Sequence, residues 1–200
     1  MVAIGKIVKS NSHIDYVCQV FGPGERQEVP APDEYAFGRF VRIAVEDESQ
    51  LDLVGVIYNT ILMNPEFGSL GPRLSPASEL EIFSPDYLNE KATLVGILLV
   101  GSLPKSAGGA RPFQGIPPLA ANVDALVFPL APDDLRRFHQ GENAPRLAYL
   151  PHLLSQANPL ISHLVLNILD QVKSCFPDHA TELAVIRDNL AWHTQVEQAS

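Results

Sequence analysis

Three apolar segments of this chain each carry one internal glycine: Phe37-Gly38-Arg39-Phe40-Val41-Arg42-Ile43, Leu53-Val54-Gly55-Val56-Ile57-Tyr58 and Leu94-Val95-Gly96-Ile97-Leu98-Leu99-Val100. A glycine inside a β-branched run weakens a strand and adds nothing to packing. Its recurrence therefore points to sharply coiled strands or to backbones that approach closely. Both belong to a small closed barrel. The expected class is α+β: a closed β-barrel of about six strands over residues 1–130, followed by a helical region over residues 131–200.

The rest of the first 130 residues fits that frame. Val2 to Val20 alternates loosely about the polar turn Ser10-Asn11-Ser12-His13 and reads as two short strands or one bent hairpin. Phe21-Gly22-Pro23-Gly24 breaks the pattern, and the stretch to Asp33 reads as an exposed loop. Strands are expected at about 36–45 and 53–62, joined by the acidic turn 46–49. A glycine- and proline-rich loop over 64–76 follows, then a short strand at 79–83 and a turn or two of helix to about Glu90. The third glycine-bearing strand spans 92–103, a flexible connection spans 105–115, and a last strand covers 123–128. Of the 17 prolines, twelve lie at or before Pro129, which suits a loop-rich β region followed by something more regular.

Beyond Pro129 the period changes to that of helices. Pro132-Asp133-Asp134 opens a short helix with its acids at the positive end of the dipole. A second helical piece covers 146–156, and Asn158-Pro159 starts a third with Leu160, Leu164, Ile168 and Val172 on one face. Asp178 starts a fourth, with Leu183, Ile186, Leu190 and Trp192 available to bury.

Charge narrows the function. The net charge is -9, and acidic residues outnumber basic ones both before and after Leu130, so neither part carries the basic footprint that sequence-independent phosphate binding needs. Direct nucleic-acid binding is not expected. The two cysteines, Cys18 and Cys175, have no metal-ligand spacing and are expected reduced and buried. The longest apolar run, near Leu94 to Leu103, falls short of the roughly 20 residues of a membrane helix. A cytoplasmic protein without membrane contact is expected.

No motif supports catalysis. Gly101-Ser102-Leu103-Pro104-Lys105-Ser106 lacks the second glycine of a phosphate loop and places proline where backbone N–H groups should cradle phosphate. The six histidines are scattered. His152 and His163 flank Asn158-Pro159 and are the candidate pair for a metal or small molecule in a cleft between barrel and helices. Neither a nucleophile elbow nor a Cys–His pair in a recognisable context occurs. A non-enzyme without cofactor is the expectation. The conspicuous segment is Tyr58 to Gly68, where aromatic, methionine and asparagine residues crowd a strand end and its loop. Such residues are enriched at protein interfaces, so Tyr58, Asn59, Met63, Asn64, Phe67, Leu70 and Arg73 form the candidate partner surface. A second reading uses Phe37, Arg39, Phe40 and Arg42 as a strand face for single-stranded nucleic acid.

Four segments carry a family resemblance: Ile4-Gly5-Lys6-Ile7-Val8, Phe37 to Ile43, Leu53 to Ile57, and Pro117-Pro118-Leu119-Ala120-Ala121-Asn122-Val123. In order and character they resemble the HAS barrel, the small barrel that begins HerA-type DNA translocases and the catalytic subunits of rotary ATP synthases. In HerA-type proteins the barrel leads into an ATPase core, whereas here Leu130 leads into helices without a nucleotide site, so no catalytic residue carries over. The whole chain looks like a stand-alone bacterial HAS-barrel protein. The resemblance implies a docking role, with a ring ATPase or its NurA-type nuclease as partner in DNA-end processing, and allows a homo-oligomer.

Overall fold

A computed structural model describes residues 2–46, 50–64, 92–106 and 110–198. Seven antiparallel strands form one sheet: β1 (Gly5–Ser10), β2 (Asp15–Val20), β3 (Phe40–Ile43), β4 (Leu51–Met63), β5 (Ala92–Pro104), β6 (Phe113–Gln114) and β7 (Leu126–Pro129). Their order is β2-β1-β7-β3-β4-β5, and β5 returns to pair with β2 through Asp15↔Leu98 to Gln19↔Leu94. That last pairing closes a six-stranded barrel. β6 adds to β5 at Gly101↔Gln114 and Ser102↔Phe113, beyond the start of β2 at Asp15. Four helices follow: α1 (Pro132–His139), α2 (Leu150–Leu154), α3 (Ile161–Cys175) and α4 (Ala180–Gln198).

Two of the three glycines work as expected within the barrel. The β4–β5 register shifts twice, once between Val54 and Gly55 and again between Ile57 and Asn59. Each shift is a bulge that raises the local twist and helps the sheet curl shut. A side chain at Gly55 would collide with Ile97, and one at Gly96 would stand 2.8 Å from the Tyr58 ring. Gly38 does something else. It lies before β3, at φ +82°, and its carbonyl accepts a 2.7 Å hydrogen bond from Gln171 Nε2 of α3 while Asn167 fills the space of a Cβ. The strand expected over 36–45 is accordingly only Phe40–Ile43, because the left-handed glycine turns the chain so that α3 can dock on it.

The unbroken apolar character of β4 and β5 reflects burial on both faces. Leu53, Ile57, Val95, Ile97 and Leu99 join Ile4, Ile7, Tyr16, Cys18, Val41 and Ile43 inside the barrel. The alternate residues Val54, Val56, Leu98 and Val100, with Phe40, point outward and pack under Phe138, Tyr149, Leu153, Leu164, Ile168 and Val172 of the helical part. A one-sided antiparallel sheet would alternate apolar and polar residues; here the helices cover the second side.

The connection at 105–115, expected to be flexible, contains β6, and its Gln114 is a buried clamp. Gln114 Nε2 donates to the carbonyls of Phe138 (3.0 Å) and Arg146 (3.1 Å), and its Oε1 accepts the Ala148 N–H at 2.8 Å. The strand expected over 123–128 is Leu126–Pro129, and the helix expected over 146–156 shortens to Leu150–Leu154, with Pro151 in its first turn, where the missing N–H is tolerated. On α3 the face of Leu164, Ile168 and Val172 is buried as expected, while Leu160 stays partly exposed. α4 buries Leu183 but leaves Ile186 and Trp192 exposed, so only part of its expected face meets the core. The strand and helix expected between 79 and 90, and most of the loops at 46–49 and 64–76, lie outside the described residues.

Both cysteines are free, with Cys18 deep in the barrel and its thiol pushed up to about 12 by burial. Cys175 is half-buried rather than buried, because α3 ends there beside Phe176.

Candidate functional site

β4 is longer than the barrel needs. Up to Ile57 every residue from Asp52 is buried; after the bulge at Tyr58 the strand continues as a two-stranded ribbon with β5, pairing Thr60↔Val95, Ile61↔Leu94, Leu62↔Thr93 and Met63↔Ala92. β3 pairs with β4 only at Leu53 to Val56, so among the described residues the outer edge of 58–63 faces no strand. On this ribbon Ile61 is 47% exposed, Leu62 77% and Met63 52%. Successive strand residues point to opposite faces, so apolar groups stand on both sides of the ribbon. An exposed apolar edge is a template for another chain unless something blocks it.

Tyr58 anchors the base of the ribbon. Its ring lies on Gly96 and its hydroxyl donates to Asp15 Oδ1 at 2.9 Å, tying β4 to the start of β2. Burial, and then the bond to Asp15, push this phenol up to about 12, so it stays a donor. Asn59 is half-buried, and its Oδ1 accepts the Thr60 N–H at 2.9 Å. Of the candidate partner residues, Met63 and Asn64 are exposed on the ribbon, Tyr58 and Asn59 form its base, and Phe67, Leu70 and Arg73 lie outside the described residues. Ile61 and Leu62, the most informative neighbours, were not singled out by sequence. Their signal was an apolar triplet, Ile61-Leu62-Met63, that resumes after the polar pair Asn59-Thr60 has marked the end of the barrel.

Residues 1–200 match the family model described as Domain of unknown function (DUF8166). The chain belongs to that family. A search of the curated proteins finds no match.

The remaining candidates are placed apart. Phe40, expected on a nucleic-acid face, is fully buried beneath the helices in edge-on contact with His139 and Tyr149. Arg42 lies over the Phe128 ring and faces the buried carboxylate of Asp52 at 3.4 Å. These two residues serve the interior and the barrel wall, while Phe37 is half-buried and Arg39 exposed, both before β3. His152 is half-buried, with Nε2 enclosed and unpartnered among the described residues, and His163 is exposed on α3. Neither belongs to a group of three or more metal-ligating side chains among the described residues. No helix among the described residues is long and apolar enough to cross a membrane.

Burial also perturbs His139, at the end of α1. Its Nδ1 lies 2.9 Å from the Leu135 carbonyl, which only accepts, so Nδ1 carries the proton; Nε2 accepts from the Tyr149 hydroxyl at 2.7 Å. Burial pulls this imidazole down to about 4, partly opposed by the bond to Leu135. A neutral histidine with both nitrogens satisfied is a packing element.

Proposed function

We propose that this chain is a non-catalytic interaction module that receives a protein partner on the β4–β5 ribbon. The observation that carries the reading is the exposed apolar edge Ile61-Leu62-Met63, which projects past a barrel whose other apolar strands are covered. An extended partner segment adding to that edge would gain main-chain hydrogen bonds, with Leu62 and its neighbours supplying side-chain contacts. The HAS-barrel resemblance supplies the partner class: a HerA-type ring ATPase or its NurA-type nuclease, in DNA-end processing. The closed six-stranded barrel is compatible with that resemblance. The test is co-expression with the ATPase and the nuclease of the same cell, followed by purification on a tag. Wild type is expected to retain one of them, and Leu62→Asp with Met63→Asp to lose it. Retention by the double variant would move the interface elsewhere, and failure to retain either protein would overturn the partner class.

A further inference from the structure

Three arginines from separate segments converge on one cleft of about 780 Å³ beside β6: Arg111 before the strand, Arg137 in the last turn of α1, and Arg146 between α1 and α2. Ser106, Phe113 and Glu142 complete the part that matters. The volume is that of a small-molecule site. In a chain of net charge -9, three of its 14 basic residues gathered in one concavity are an exception.

The guanidiniums are held by backbone carbonyls more than by carboxylates. Arg137 Nη2 donates to the Pro104 carbonyl and lies 3.5 Å from Asp134, while its Nε is enclosed with no acceptor among the described residues. Arg146 Nη1 donates to the Pro112 carbonyl at 3.2 Å, and the Arg146 backbone is fixed by the Gln114 clamp and by its N–H to the His139 carbonyl. Arg111 pairs with Glu142 at 3.1 Å, with both side chains largely exposed. A solvated pair of that kind is weak and readily exchanged. Three cations therefore face two carboxylates, one of them replaceable. Phe113, 46% exposed, supplies an apolar wall.

We infer that this cleft binds a small organic phosphate, with the phosphoryl group among Arg111, Arg137 and Arg146 and its apolar body against Phe113. A single carboxylate occupies one guanidinium fork, whereas a dianionic phosphoryl group offers three oxygens to donors arriving from three directions. The site is independent of the ribbon and of any partner bound there.

Calorimetric titration of the full chain at constant ionic strength tests this with phenyl phosphate, inorganic phosphate and benzoate as probes. Phenyl phosphate is expected to saturate with a Kd of about 1 mM or below, with inorganic phosphate weaker and benzoate weakest. Arg111→Gln, an exposed change that leaves the clamp intact, is expected to weaken phenyl phosphate about tenfold. Glu142→Gln is expected to strengthen it by removing the competing carboxylate, and a purely structural role would not give effects of opposite sign. No saturable binding at millimolar phenyl phosphate, equal binding of benzoate, or indifference to both substitutions would overturn the assignment.

Discussion

His139 ties side-chain chemistry to a pH dependence of stability. Above about pH 6.5 the imidazole is neutral in the folded and the unfolded chain, so it adds no pH dependence there. As the pH falls, the unfolded chain takes up the proton first, because the folded pKa is lowered to about 4. Stability is lost across that window, by about 3 kcal/mol when the pH reaches 4. Urea unfolding of wild type and His139→Gln between pH 7 and 4.5 should show the steeper decline in wild type; parallel curves would contradict the neutral, buried imidazole. Gly38 makes a second prediction at this scale. Alanine there must adopt φ +82° and displace Asn167, so Gly38→Ala should cost about 1–3 kcal/mol, read as a lower urea midpoint at unchanged slope. An unchanged midpoint would mean that the α3 docking turn tolerates a side chain.

Among the elements, β4 does two jobs divided at Tyr58: its first half is barrel wall and its second half is ribbon. Substituting Leu62, which is mostly solvent-exposed, should therefore leave the melting temperature nearly unchanged, within about 0.5 kcal/mol of stability, while abolishing partner binding. A large loss of stability in Leu62→Asp would show that the residue packs against something and is not a free contact surface. The division also explains what could be read from the sequence. Gly55 and Gly96 announced coiled strands because their runs have no polar alternation, and that much follows from local composition. Gly38 carried the same local signal and meant something different, since its role depends on Asn167 and Gln171, more than a hundred residues away. β6 was hidden because two residues have no period, and the Gln114 clamp is visible only once α1 and the segment after it are folded against it. The arginine cleft was hidden for the same reason: Arg111, Arg137 and Arg146 have no common spacing.

At the scale of the molecule, two apolar clusters share the same strands. Leu53, Ile57, Ile97 and Leu99 fill the barrel, while Val54, Val56, Leu98 and Val100 hold the helices from the other side of the same backbone. Unfolding the helices would expose the outer face of β4 and β5, so barrel and helices should melt as one unit despite the change of period at Pro129. Far-ultraviolet circular dichroism and Trp192 fluorescence should give coincident urea transitions; separate midpoints would mean that the two parts are stable independently. Among the described residues, the most exposed apolar strand residues, Leu62 and Met63, stand on the ribbon, and this is the basis for assigning partner binding to it. The most direct measurement is hydrogen–deuterium exchange of the backbone amides at 59–63, with and without the co-purified ATPase or nuclease. The account predicts slowed exchange along this edge of β4 in the complex, and protection confined to the helices, with the ribbon amides unchanged, would contradict it.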